Sequence, residues 1–371
     1  MKFVVNATEM KKAVEAAAKV VKTNPDHPAL VNLKIAAGAQ GIEITGGDGK
    51  TTVVTKMVPT DDNGLRVEKE GEILINAKFL ADVLKRLAGN DVLEIRVDGT
   101  QIRLEAGGAK YAVRSLDVKS YQTPDLKRPA QGLAMPKEML KAFVDEVYVC
   151  AGHNEATPVL NGIHFVTRDG EMIVEATDTH SYAAKTIKYG GKPLNCVVPG
   201  EAIQVAVTQL DGDTLKLGVD EKKIQFFDDT TLIQSTLYSG NYPNTAKLVD
   251  AEAGADKTLT VDRKALLAAI DRCSLMKEDG NTVVRFTMSK DGLNLQAKSQ
   301  DFGEFTDHLD AEYKGEDFAI SLVGDQIAAT LKAIGGETAT IKFIAALKPV
   351  IFRGGKDNLI HIVTPIRTIA D

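Results

Sequence analysis

Residues 74–104 read LINAKFLADVLKRLAGNDVLEIRVDGTQIRL. A short apolar run leads into an amphipathic segment, a Gly/Asp turn closes it, and two runs of alternating polarity follow. The same order returns in VVPGEAIQVAVTQLDGDTLKLGVDEKKIQFF from Val197 and in AISLVGDQIAATLKAIGGETATIKFIAALKPVIF from Ala319. The residues that end the amphipathic segments, Leu87, Leu210 and Ile334, stand 123 and 124 positions apart. An earlier alternating run recurs as IEITGGDGK, IVEATDTHS and LNLQAKSQD, with Asp48, Asp178 and Asp301 spaced by 130 and 123. Each copy also opens on a helix pattern: EMKKAVEAAAKVV, KEMLKAFVDEVYVC and RKALLAAIDRCSL. The chain is therefore read as three copies of one α+β unit, each with two helices and about eight short strands. Polar stretches rich in Pro and Gly, SYQTPDLKRPAQ from Ser120 and GNYPNTAKLVDAEAGAD from Gly240, separate the copies. The expected domains are 1–125, 126–250 and 251–371.

The bulk properties agree with that division. At 371 residues the chain holds two or three domains, and 44% hydrophobic with 26% charged residues excludes disordered and fibrous classes. Nothing approaches the ~18 consecutive apolar residues of a membrane span, and MKFVVNATEMKKAVEA does not read as a signal peptide. A cytoplasmic location without membrane contact is expected. Cys150, Cys196 and Cys273 lie far apart without a CxxC, so neither a disulfide framework nor a metal site is expected.

The net charge of −6 argues, for the chain as a whole, against a nucleic-acid binder. Its distribution argues otherwise. The six expected helices (7–23, 77–89, 137–149, 200–211, 262–277 and 324–334) hold fourteen basic and eleven acidic residues, against 31 and 40 elsewhere. In the first, Met10, Val14, Ala17 and Val21 form an apolar stripe with Lys12 and Lys19 nearly opposite. In the second, Leu80, Val83, Leu84 and Leu87 form the stripe, with Lys78 and Lys85 opposite. Such faces are ordinarily just solvated. Spread Lys and Arg with no basic run would contact phosphates and read no base sequence.

Two motifs invite catalytic readings. GGDGKTT at 46–52 lacks the glycine that a phosphate loop needs at Ile44, and a strand pattern follows it, so a hairpin turn is expected. Asp178 and His180 stand two apart in an expected strand, share a face, and offer an acid/base or metal pair. No third ligand or nucleophile follows at useful spacing. An enzyme on a repeated scaffold, using Asp178 and His180, therefore stays as an alternative.

The whole chain resembles the bacterial DNA polymerase III beta subunit family, the replicative sliding clamps. The resemblance rests on MKF at the start, HPALVNL at 27–33, VLNG at 159–162, EATDTH at 175–180, the YP of GNYPN at 242–243 and TPIR at 364–367, in order over the threefold repeat. Residues 368–371 run slightly past the usual end. The resemblance implies three clamp domains per chain and a head-to-tail homodimeric ring, helices lining the hole and sheets outside. Twelve helices about 10 Å apart would make a wall roughly 120 Å around, with an opening on the order of 25–30 Å. The function implied is non-catalytic and needs no cofactor: encircling duplex DNA and tethering the replicative polymerase.

On that reading the DNA-facing residues are Lys12, Lys19, Lys22, Lys78, Lys85, Arg86, Lys137, Lys141, Lys264 and Lys332. The resemblance also implies a hydrophobic pocket for short peptides of polymerase and clamp-loader subunits, typically a Gln followed by aliphatic and aromatic residues. Leu160, Thr177, Thr179, His180, Tyr182, Pro243 and Leu248 would line it with Val363, Thr364, Pro365, Ile366 and Arg367. There Asp178 would support a turn. Ser181 stands where a basic residue is common, and Thr364 where a larger apolar one is. The ring joint would set Arg103, Lys110 and Tyr111 of one copy against Cys273, Asp301, Glu304 and Asp307 of the other. A clamp-like scaffold that does not encircle DNA is the remaining alternative.

Overall fold

The computed structural model describes residues 1–89, 91–129, 131–278 and 280–367. The last four residues, which the resemblance sets beyond the usual end, lie outside that set. The first third runs β1 (Lys2–Asn6), α1 (Ala7–Ala18), β2 (Asn32–Gly38), β3 (Gly41–Gly47), β4 (Thr51–Met57), β5 (Arg66–Lys69), β6 (Gly71–Asn76), α2 (Ala77–Leu84), β7 (Val92–Asp98), β8 (Gln101–Ala106) and β9 (Ala109–Arg114). The second runs β10 (Gln131–Pro136), α3 (Lys137–Glu146), β11 (Gly162–Arg168), β12 (Glu171–Thr177), β13 (Ser181–Lys188), β14 (Asn195–Pro199), α4 (Gly200–Gln209), β15 (Thr214–Val219), β16 (Lys223–Phe227) and β17 (Thr231–Thr236). A short helix, α5 (Ala246–Asp250), precedes the third. That third holds β18 (Lys257–Asp262), α6 (Arg263–Cys273), β19 (Val283–Ser289), β20 (Gly292–Ser299), β21 (Gly303–Leu309), β22 (Ala311–Lys314) and β23 (Phe318–Val323). It ends with α7 (Gly324–Ile334), β24 (Thr338–Phe343), β25 (Val350–Arg353) and β26 (Leu359–Val363). One α+β order thus recurs three times.

Three of the helices start by the same device. Each follows a strand directly, and the strand's last residue caps it. Asn6 accepts from Thr8 N (2.8 Å), Asn76 from Phe79 N (2.9 Å) and Asp262 from Ala265 N (2.7 Å). These side chains satisfy amide donors that the first helical turn cannot pair. The helices end earlier than their apolar stripes. Lys19, Lys22, Lys85, Arg86, Asp211 and Lys277 lie beyond the last helical turns, and Asp262 is a cap. Within the helices proper, nine basic and nine acidic residues cancel. The basic excess of the expected helices therefore belongs to the segments just past the C-terminal ends of α1, α2 and α6, where partial negative charge on unpaired carbonyls favours cations.

Among the described residues four antiparallel sheets carry 26 strands, in the orders β5-β1-β7-β8-β9, β10-β15-β16-β17-β4-β3-β2-β6, β14-β11-β12-β13-β26-β25-β24-β18-β22 and β21-β20-β19-β23. The two large sheets each join two thirds of the chain. In one, β17 pairs with β4 from Thr231↔Thr55 to Ser235↔Thr51; in the other, β13 pairs with β26 from Ser181↔Val363 to Lys185↔Leu359. Compact units follow those joins: Met1–Leu140 with Glu201–Leu237, and Lys141–Gly200 with Tyr238–Asp371. In the first unit Phe3, Met10, Val14, Leu33, Leu80 and Ile95 build a core between helices and sheets. In the second, Leu266, Ile270, Phe286, Ile327, Phe343 and Phe352 do the same. Among the described residues no helix is long and apolar enough to cross a membrane.

Candidate functional site

The β13·β26 join gathers much of the expected pocket. Alternation sends Tyr182, Ala184, Ile360, Ile362 and Ile351 to one face, where they cluster with Leu248, Ile173 and Ile344. Ser181 and Val363 point to the other face, and Val363 is fully buried in the core with α6 and α7. Val363 is therefore corrected from a pocket residue to a core residue. Its neighbour Ile362, absent from the expected set, shares the face of Tyr182 and packs with Leu248.

A buried polar network fixes the groove wall. Glu175 is 3% exposed. Its Oε2 accepts from Tyr182 Oη (2.8 Å) and Thr245 Oγ1 (2.6 Å), and its Oε1 lies 2.8 Å from His164 Nδ1. Burial pushes the Glu175 carboxyl up, but these hydrogen bonds outweigh it and hold the group below its ordinary value. The His164 ring stacks on Tyr242 with centroids 4.3 Å apart, and Asn195 Oδ1 lies 2.9 Å from Nε2. Tyr242 and Thr245 thus pin the segment carrying the exposed Pro243 against the sheet. Further along the same face lies a cavity of about 340 Å³, lined by Tyr182, Glu175, Ala184, Thr245, Val249 and Ile360 among others. Of the expected pocket residues, only Tyr182 reaches it.

The rim is a turn and not a strand. Asp178 Oδ1 accepts from His180 N (2.9 Å), Ser181 N (2.6 Å) and Ser181 Oγ (2.9 Å). The reading of Asp178 and His180 as a pair on one strand face is corrected accordingly: that carboxylate oxygen is committed to the turn. The turn is strained at Thr179, whose φ is 79°. Thr177 Oγ1 holds it from both sides, accepting from Thr179 N (3.1 Å) and donating to Ser181 O (2.6 Å). The C-terminal segment docks here, with Thr364 N and Thr364 Oγ1 both donating to His180 O at 2.8 Å and Ile366 N to Ser321 O at 2.9 Å. His180 and Arg367 are exposed, Pro365 and Ile366 half-buried, and Leu160 and Thr177 buried.

On the helix face of the same join, Glu146 is 4% exposed and is held by Lys185 Nζ (2.5 Å) and by Lys356. His361 Nδ1 lies 3.7 Å from Cys150 Sγ. Burial lowers the His361 pKa to about 4 and pushes the Cys150 thiol up to about 12. Among the described residues no cluster of three or more His, Cys, Asp and Glu could hold a metal.

The expected DNA-facing cations fall into two groups. Lys12 pairs with Glu9 (2.7 Å), Lys22 with Glu201 (2.8 Å) and Arg86 with Asp82 (3.8 Å), while half-buried Lys137 donates to Leu210 O (2.7 Å). Lys19, Lys78, Lys85, Lys141, Lys264 and Lys332 are exposed, with no ion pair among the described residues. Of the expected joint residues, Lys110 and Tyr111 sit on β9, an outer strand of its sheet, with Arg103 on the next strand in. Lys110 lies 3.4 Å from Glu105, Arg103 lies 3.3 Å from Asp98, and Phe79 packs edge-on against Tyr111. Glu304 and Asp307 sit on β21, also an outer strand, and Asp301 in the turn before it. Arg272 Nε donates to Asp307 Oδ2 at 3.1 Å, and Glu304 accepts from Gln296.

Three sequence families match in succession. Their descriptions are DNA polymerase III beta subunit, N-terminal domain, over residues 1–125; central domain, over 134–244; and C-terminal domain, over 253–367. The chain belongs to the DNA polymerase III beta subunit family. It is 25% identical to the beta sliding clamp of Bacillus subtilis (strain 168), covering 99% of this chain and 100% of that one. It is 26% identical to the beta sliding clamp of Halalkalibacterium halodurans, with the same coverage. Its fold matches the crystal structure of the Bacillus subtilis DNA polymerase sliding clamp with a TM-score of 0.91 at 24% identity, covering 99% of each chain. A DNA polymerase III beta chain from Streptococcus pneumoniae matches with a TM-score of 0.92 at 23% identity, covering 99% of this chain and 100% of that one.

One joint residue is corrected. Cys273 is fully buried in the core, its thiol raised by that burial to about 11, and it cannot face a partner. The exposed apolar residues nearby are Leu275, 71% exposed in the 3-10 turn that follows α6, and Phe302, 69% exposed in the turn before β21. Sequence reasoning missed both. Leu275 breaks the stripe of Leu266, Ile270 and Cys273, and that was the available signal. It also missed His164 and Glu175, polar residues inside otherwise apolar strand patterns.

Proposed function

We propose that this chain is a sliding clamp: a cytoplasmic, non-catalytic homodimer that encircles duplex DNA and tethers the replicative polymerase. The observation that carries the reading is the succession of three beta-subunit domains along nearly the whole chain. On it, the chain divides into domains near residues 125 and 250. Two copies join head to tail, β9 of one beside β21 of the other, with Leu275 and Phe302 covered in the joint and Arg103, Lys110 and Tyr111 facing Asp301, Glu304 and Asp307. An unpaired outer strand with exposed apolar neighbours supports that placement.

The lysines free of ion pairs would meet phosphates, and the β13·β26 groove would take short hydrophobic peptides of polymerase and clamp-loader subunits. Leu248, Tyr182 and Ile362 form its floor, with Pro243, His180, Pro365, Ile366 and Arg367 at the rim. The deciding experiment combines light scattering over a dilution series with retention on nicked circular and linear DNA. A dimer of twice 39.9 kDa that a loader leaves on circles and that escapes from linear ends is expected. A stable monomer at micromolar concentration would count against the ring and favour one of the two alternatives, the enzyme or the scaffold. Changing Lys19, Lys78 and Lys85 to Glu should weaken direct DNA contact and flatten its salt dependence, by about 0.9 in slope per lost phosphate contact, with the dimer intact.

A further inference from the structure

The β4·β17 join presents the same strand arrangement as the β13·β26 join, but a piece of the chain lies across it. The outward side chains of β16 hold successive residues of the segment that leads into β10. Lys223 Nζ donates to Asp125 O (2.7 Å) and lies 3.4 Å from Asp125 Oδ2. Gln225 Nε2 lies 3.1 Å from Leu126 O and 3.3 Å from Lys127 O. The Arg128 guanidinium stands 4.1 Å over the Phe227 ring. Pro129 packs on Gly218, where an added Cβ would come within 3.1 Å of its Cδ. Lys223, Gln225 and Phe227 alternate along one strand, so they line one face beneath the segment, which turns at Asp125, whose Oδ1 accepts from Lys127 N (3.0 Å).

The fit is incomplete. Lys127 and Arg128 are exposed and Leu126 is half-buried. Gln225 is fully buried, yet its Oε1 accepts no hydrogen bond among the described residues. The amide therefore reads carbonyls of the segment but finds no N–H in it. A cavity of about 200 Å³, lined by Leu126, Arg128, Val54, Leu232 and Phe227, remains beside it. At the β13·β26 join, Gln225 and Phe227 have Ile351 and Arg353 as counterparts in register. Those hold the following linker by side chains alone, Ile351 through Leu248 and Arg353 through Glu252.

The geometry points to a second peptide-binding groove, on the face of β16, β17 and β4, occupied by the chain's own residues Asp125–Pro129 as an internal ligand. The ligand class is a short peptide that turns at an acidic residue held against Lys223, sets two successive backbone carbonyls on Gln225 and places a cation over Phe227. The segment fills this groove and keeps it closed to other peptides.

The test uses the full chain. In the variant D125G/L126G/R128G, amide exchange over residues 126–128 should rise at least tenfold. A fluorescein-labelled peptide of sequence SYQTPDLKRPAQ should bind that variant at least tenfold more tightly than it binds the unchanged chain. Adding Gln225→Ala should abolish the gain, and the pair Pro365→Ala with Ile366→Ala should leave it untouched, which separates this groove from the one at β13·β26. Faster exchange without tighter peptide binding would overturn the proposal, as would no change in exchange. Should the triple variant not fold, excess free peptide added to the unchanged chain must raise exchange over 126–128, and protection that stays constant would equally overturn it.

Discussion

The two sheet joins differ in chemistry far more than in geometry. Both pair five residues antiparallel and both follow an Asx turn, Asp48 accepting from Lys50 N and Thr51 N as Asp178 does from His180 N and Ser181 N. At the β4·β17 join the groove face carries Gln225 and Gln234, whose amides meet at 2.7 Å under the linker. At the β13·β26 join the same register positions hold Ile351 and Ile362. On the helix face, Ile233 at the first join answers to His361 at the second, and Thr55 to Lys185. The turn differs too: Gly49 takes a φ of 94° without cost, and Thr179 takes 79° against the preference of a β-branched residue. One scaffold thus supplies a polar join whose linker is held through its backbone and a largely apolar join whose linker is held through side chains, with strain and titratable groups gathered at the second.

The sharpest way to break that contrast is Ile351→Gln. It would bury an amide without a partner among Tyr182, Ile360 and Ile362, and should cost about 3–5 kcal/mol by denaturant titration. A cost under about 1 kcal/mol would show that apolar composition does not distinguish this join.

Acid is the next lever. His361 is buried with its pKa lowered from 6.5 to about 4. The unfolded chain takes up that proton near the ordinary value and the folded chain only near the lowered one. Its contribution is complete above pH 6.5 and lost as pH falls toward 4. The total loss is roughly 3 kcal/mol. Glu175, also lowered, extends the loss below its ordinary value of 4.5 as pH falls through its folded value. The counterparts Ile233 and Thr45 do not titrate in this range. Hydrogen exchange from pH 7.5 down should therefore loosen β13 and β26 before β4 and β17, with His361→Leu removing most of the difference. Equal loosening of both joins would erase it.

Smaller effects sharpen the polar side. Gln225→Leu alone strands the Gln234 amide and releases the Leu126 and Lys127 carbonyls, and should cost about 1–3 kcal/mol, whereas Gln225→Leu with Gln234→Leu should recover only the part owed to Gln234. Smallest in stability is Pro365→Ala with Ile366→Ala, both half-buried. Melting should shift by less than about 1 kcal/mol, while affinity for a Gln-containing hydrophobic pentapeptide falls by about 1–2 kcal/mol, read by fluorescence polarisation.

Legibility in the sequence followed the range of each interaction. The Asp48 turn is local and was visible in GGDGKTT, whereas the equally local N-caps at Asn6, Asn76 and Asp262 were not read, Asp262 being placed inside its helix. Nor were the helix ends, because Val20 is buried and Leu87 half-buried past the last helical turns, so the apolar stripe outlasts the helix. Residue matching alone took Val363 for a groove residue. Only the pairing Tyr182↔Ile362 shows which parity of β26 faces which side. Cys273 was legible as core from the stripe it completes with Leu266 and Ile270.

By itself the sequence determined three copies of one α+β unit, their order and their turn chemistry, since strand and helix periods are properties of the backbone and appear within ten or fifteen residues. Only the tertiary structure decided what each join holds. Glu175 meets Thr245 across 70 positions and Cys150 meets His361 across 211. Such contacts depend on strand register and on which faces burial brings together, and no local pattern encodes either.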